Sequence, residues 1–141
     1  GEAAAVTIRA LIEETAGELA VFNGRAGLEL TDNLRAGCVG MIPGMESFDV
    51  QARIFDLMRQ CTPDAEARAE ALYRDLLPLV VFLMQSLETL LCYGKQICAD
   101  RLGLGTVHTR APSLSPSSTG LAWARAHAAR LPKAYGAEMS P

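Results

Sequence analysis

LAVFNGRAGLELTDNLRAGCVGMIPG, residues 19–44, holds two short apolar runs with one amphipathic segment between them. Leu19-Ala20-Val21-Phe22 is continuously apolar and closes on Asn23-Gly24, as expected of a parallel strand buried on both faces and ended by a turn. The pattern predicts a strand over Leu19 to Asn23. Leu28 to Ala36 puts Leu28, Leu30 and Leu34 on one side of a short helix that Gly37 stops. Cys38-Val39-Gly40-Met41-Ile42 reads as a second buried strand, pairing over Val39 to Ile42, and Pro43-Gly44 ends it.

Working outward, Ala4 to Thr15 carries Val6, Ile8, Leu11 and Ile12 close to one helical face and stops before Gly17, and Phe48 to Arg59 forms a further helix. The first 60 residues therefore alternate helix, strand, helix, strand, helix, which is the grammar of βα units on a parallel sheet. Two such strands cannot form a sheet buried on both faces, because short parallel strands need neighbours on either side to satisfy their backbone groups. Further strands are expected from elsewhere. Period alone also admits an all-α protein in which both runs are buried helix segments.

After Cys61 the strand signal stops. Thr62 suits a helix N-cap, Pro63 the first helical position, and Asp64 and Glu66 the positive end of the helix dipole. Leu72, Leu76, Leu79 and Leu83 mark its apolar face, and Pro78 predicts a kink or division near Asp75 to Pro78. A helix over Glu88 to Leu102, a Pro- and Ser-rich connection from Thr106 to Ser118, and a last helix from Thr119 to Leu131 follow. The predicted division is βα units over 1–60, a helical region over 61–132 and a loose tail over 133–141.

Half the residues are hydrophobic and 21% charged, the balance of a chain that packs a core. A formal charge of −3 and 13 scattered Lys and Arg provide no basic stripe for phosphates, which argues against nucleic acid. The longest strongly apolar run, Leu76 to Met84, is far below the ~20 residues of a spanning helix, and residues 1–20 contain no secretory pattern, so a cytoplasmic protein without membrane segments is expected. Cys38, Cys61, Cys92 and Cys98 form no CxxC pair and have no suitably spaced histidine, so buried free thiols are expected in place of a metal site.

The segment Phe22 to Gly44 resembles the seventh and eighth strands of the dihydrodipicolinate synthase and N-acetylneuraminate lyase family in order, spacing and glycine placement. The later Leu76 to Leu79, Gly94 to Leu104 and Arg110-Ala111-Pro112 resemble further landmarks of that family. The resemblance implies an α/β fold, namely the last two βα units of a (β/α)8 TIM barrel followed by a C-terminal helical region. It implies a Schiff-base lyase, aldolase or dehydratase acting on a 2-keto acid, sugar-derived if Met41-Ile42-Pro43-Gly44 marks the subfamily.

In that family a lysine forms an imine with the keto acid and so creates the electron sink, with no separate cofactor. By family spacing the lysine and the catalytic tyrosine fall at or before Gly1, so no catalytic residue is expected within these residues, and the remaining barrel half and a homo-oligomer are the expected partners. Lys95 and Lys133, the only lysines, are expected to be structural.

Four residues are the expected substrate-binding set. Gly24 is expected to serve as a positive-φ turn, as a close backbone approach to the keto acid, or as both. Arg25, where relatives commonly carry an acidic residue or tyrosine, is either a ligand for a distal carboxylate or hydroxyl or an exposed loop arginine. Ile42 matches the isoleucine whose main-chain carbonyl faces the ligand, and Pro43 stands beside it. Glu46 and Asp49 at a helix start are expected to be caps, not acid–base catalysts. The alternative function is a non-catalytic interaction or oligomerisation module.

Overall fold

A computed structural model describes residues 2–133. The expected tail falls, from residue 134 on, outside the described residues. The chain is α/β and mostly helical, with βα units on a two-stranded parallel sheet: α1 (Ala4–Glu14), β1 (Phe22–Ala26), α2 (Leu30–Ala36), β2 (Gly40–Pro43) and α3 (Phe48–Met58). The helical region is α4 (Pro63–Leu83), α5 (Leu87–Thr89), a π-helical turn (Leu90–Gly94), α6 (Lys95–Leu102) and α7 (Ser118–Ala128). The two apolar runs therefore supply strands, not the buried helix segments of an all-α protein.

Local signals place most boundaries. Gly37 ends α2 at φ 109°, where its left-handed backbone lets Cys38 N–H reach Asn33 O at 3.0 Å and closes the helix on its own carbonyl. Thr62 caps α4 through its hydroxyl, which accepts from Ala65 N–H at 3.3 Å, and Pro63 opens the helix as expected. Ser86 and Ser117 cap α5 and α7 in the same manner. The helix expected over Glu88 to Leu102 carries a π turn in its middle, and the last helix ends at Ala128, short of Leu131.

Pro78 does not divide α4, which runs unbroken to Leu83. Proline there removes only the bond to the carbonyl one turn earlier, and packing of Leu76, Leu79, Val80 and Leu83 holds the helix through it. The sharp change of direction comes later, with 111° between α4 and the segment Leu87–Leu102. Among the described residues no single helix is long and apolar enough to cross a membrane, although that bent pair passes by length and composition.

Within this chain the two strands are not buried on both faces, as expected of a sheet with only two strands. Leu19, Phe22, Val39 and Ile42 are 51%, 60%, 51% and 65% exposed. The core lies instead among the helices, where Val50, Ile54 and Leu57 of α3 meet Leu76, Leu79 and Leu83 of α4, together with Ile97 and Ala124. One core thus spans the boundary expected at residues 60 and 61. Helix α1 buries no residue at all despite its apolar face. Of the four expected buried thiols, Cys38 and Cys92 are buried, Cys98 is half-buried and Cys61 is exposed in the turn before α4.

Candidate functional site

Strand β1 starts later than its composition suggests. Pairing with β2 runs Phe22 to Gly40, Asn23 to Met41 and Ala26 to Pro43, parallel, so the strand covers Phe22–Ala26 and not Leu19 to Asn23. Leu19 and Ala20 find no ladder partner, while Val21 O accepts only the bond from Val39 N–H at 3.0 Å. Between Asn23 and Ala26 the register shifts, three steps on β1 opposing two on β2, so one extra residue is bulged out at the C-terminal end of the sheet.

Gly24 was expected to end the strand; it lies inside it, in the bulge, with open space where a side chain would project. The left-handed conformation expected at Gly24 falls on the next three residues, at φ 58° for Arg25, 52° for Ala26 and 89° for Gly27. Two consecutive non-glycine residues in this region cost on the order of 1 kcal/mol each, so neighbouring contacts must hold them.

Two contacts do so. Gln51 of α3, fully buried, donates through Nε2 to Ala26 O at 2.9 Å and to Ser47 Oγ at 2.9 Å. Arg25 Nη1 donates to Glu29 Oε1 at 2.8 Å. Arg25 remains half exposed, and such an exposed i,i+4 pair is worth about 0–1 kcal/mol, little enough for an incoming carboxylate or hydroxyl to replace Glu29. Ile42 and Pro43 are exposed at the neighbouring end of β2. All four sequence-predicted site residues therefore gather at the C-terminal ends of adjacent strands.

Below this rim lies a polar cluster that includes Glu46 and Asp49, the two carboxylates that sequence reading assigned to helix capping. Ser47, at the N-cap of α3, makes no side-chain cap bond. Its hydroxyl donates to Glu46 Oε1 at 3.0 Å and accepts from Gln51, giving a chain from the Glu46 carboxyl to the backbone of Ala26. Glu46 is 1% exposed, and its Oε2 has no hydrogen-bond partner. Burial pushes its pKa up, against smaller opposing effects of its own backbone N–H, Ser47 and Arg101.

Asp49 is likewise no cap. It forms a buried ion pair with Arg101 of α6, Nη2 to Oδ2 at 2.6 Å, and Arg101 Nη1 also donates to Pro132 O at 3.0 Å. The cluster did leave a trace in the sequence, because Ser47 and Gln51 fall on the same helical stripe as Val50, Ile54 and Leu57 and so had to be buried.

Beside β2 runs an apolar groove of ≈ 390 Å³, lined by Phe22, Val39, Met41, Pro43, Phe48 and Phe55. Lys95 lies at the start of α6 and reaches His108 O at 3.5 Å, a loop contact. Among the described residues no three His, Cys, Asp or Glu side chains converge to hold a metal ion. No family model, curated protein or solved structure matches the chain.

Proposed function

We propose that the chain supplies the last two βα units and the C-terminal helical region of a (β/α)8-barrel Schiff-base lyase, aldolase or dehydratase, acting on a sugar-derived 2-keto acid. The observation that carries this reading is the parallel pair β1 and β2, whose C-terminal ends bring Gly24, Arg25, Ile42 and Pro43 together while their apolar side chains stay uncovered. Parallel sheets are stable when covered on both faces and paired at both edges, so Phe22, Val39 and Ile42 suit a sheet continued by the remaining barrel strands. Active sites of such barrels form at the C-terminal ends of the strands, where the bulge and the Arg25 guanidinium lie.

In this reading the imine-forming lysine comes from outside residues 1–141. Gly24 lets the backbone approach the bound acid, the Ile42 carbonyl and Pro43 shape the floor, and Arg25 exchanges Glu29 for a distal carboxylate or hydroxyl of the substrate. A homo-oligomer in a cytoplasmic setting completes the proposal, with the helical region carrying subunit contacts.

Borohydride trapping of pyruvate on the product of the complete reading frame containing these residues tests it. Reductive labelling of a lysine outside residues 1–141 is the expected result. Labelling of Lys95 or Lys133, or of no lysine, overturns it. The uncovered sheet also favours a second reading, a non-catalytic module that docks on a partner. A partner-bound complex with no trapping would select that reading.

A further inference from the structure

Leu91 and Cys92 of the π-helical turn, with Glu88 of α5 before them and Lys95 of α6 after them, face the loop 109–114 across a cavity of ≈ 150 Å³. A π turn is wider than an α-helical one and recurs at functional sites. The space equals about five waters at roughly 30 Å³ each, and lies well below the about 300 Å³ at which pockets for drug-sized ligands begin. It therefore admits a group of a few heavy atoms and excludes a sugar acid or a nucleotide. None of its lining residues belongs to the strand-end rim of β1 and β2.

Two cations line this space, and neither is neutralised at contact distance. Among the described residues Lys95 and Arg110 take part in no ion pair, and the Arg110 guanidinium makes no hydrogen bond. Lys95 spends one of its three donors, on His108 O at 3.5 Å. Glu88 is the opposing charge. Its own backbone N–H, and then Ser86, hold its carboxyl below the ordinary range, so it stays ionised and tied to its own turn, and the cavity keeps one net positive charge. Ser113 Oγ donates to Thr109 Oγ1 at 3.2 Å, which leaves the Thr109 hydroxyl proton for a further acceptor. Leu91, Pro112, Leu114 and the buried thiol of Cys92 complete the lining.

We infer that this cavity binds a short monocarboxylate, with its carboxylate between Lys95 and Arg110 and its carbon chain against Leu91, Pro112 and Leu114. Arg110 offers a planar fork that matches two carboxylate oxygens, Lys95 adds a point charge, and Thr109 adds a neutral donor. Inorganic phosphate suits the cavity less. Its oxygens point in all directions, and those turned toward leucine and proline would lose water without gaining a donor. A carboxylate keeps its charge at one end and leaves the other end apolar, which is how the lining is divided.

Ligand-observed nuclear magnetic resonance on the product of the complete reading frame tests this with propionate, which has the right size and charge but no carbonyl, and so forms no imine with a lysine. Lys95, Arg110 and Glu88 are exposed or half-buried, so their variants keep the fold, as unchanged far-ultraviolet circular dichroism will show. At low salt the expected results are saturable binding, a loss of roughly tenfold in affinity for Arg110→Gln and for Lys95→Gln, and a gain for Glu88→Gln. Inorganic phosphate should displace propionate only at higher concentration. Absence of saturable binding overturns the inference, as does binding that both cation variants leave unchanged, which would place propionate elsewhere. Phosphate binding tighter than propionate overturns the assignment to a carboxylate.

Discussion

Arg101→Met would leave the Asp49 carboxylate in the interior without its cation. The two side chains are 10% and 5% exposed and meet at 2.6 Å, so the pair lies in the regime where removing one partner costs about 3–5 kcal/mol through an uncompensated buried charge. The same guanidinium holds Pro132 O, adding a charge-assisted hydrogen bond to the loss. A domain of this size unfolds with about 5–15 kcal/mol, so the substitution removes roughly a fifth or more of its stability. Urea denaturation followed by far-ultraviolet circular dichroism reads this as a fall in midpoint at unchanged slope. Asp49→Leu combined with Arg101→Met removes both charges and should recover most of the loss, because an apolar pair of similar volume costs little in place of a buried ion pair. A loss under about 1 kcal/mol for Arg101→Met, typical of an exposed pair, or a double variant as unstable as the summed single variants, would refute the reasoning.

Other consequences concern α4, α7 and the strand ends. Tyr73 donates its hydroxyl to Leu28 O, and burial first among the causes pushes its pKa up to about 12. Since the neutral form is favoured in the folded state, that stability is present below the ordinary tyrosine range and lost as pH rises toward 12, which absorbance titration of native protein against Tyr73→Phe should show. Gly120→Ala places a methyl 2.3 Å from the Tyr93 hydroxyl and should cost about 1–3 kcal/mol, measured as a lower Tm. On the proposed lyase reading, Arg25→Ala in the product of the complete reading frame should lower kcat/KM by roughly one to two orders of magnitude while pyruvate trapping survives. Unchanged kcat/KM would reduce Arg25 to a surface residue.

What could be read from the sequence alone is what acts within a turn or two of chain. Thr62, Pro63 and Gly37 announce helix ends because capping bonds span three to five residues, and the alternation of apolar runs with amphipathic helices announces βα units because each element carries its own period. The grouping of Gly24, Arg25, Ile42 and Pro43 was legible for the same reason, since parallel βα units bring successive strand ends to one side. The bounds of β1 were not, because Leu19 to Phe22 is equally apolar throughout and only the register with β2, with its bulge, selects the residues that pair. Nor was the burial of Glu46 and Asp49 legible: a carboxylate at a helix start looks the same whether it caps the helix or faces a partner 52 residues along, as Asp49 faces Arg101. Only the fold brings Gly94 of the π turn and Arg101 against that loop, and burial there, opposed in part by the Arg101 charge, gives Glu46 its character.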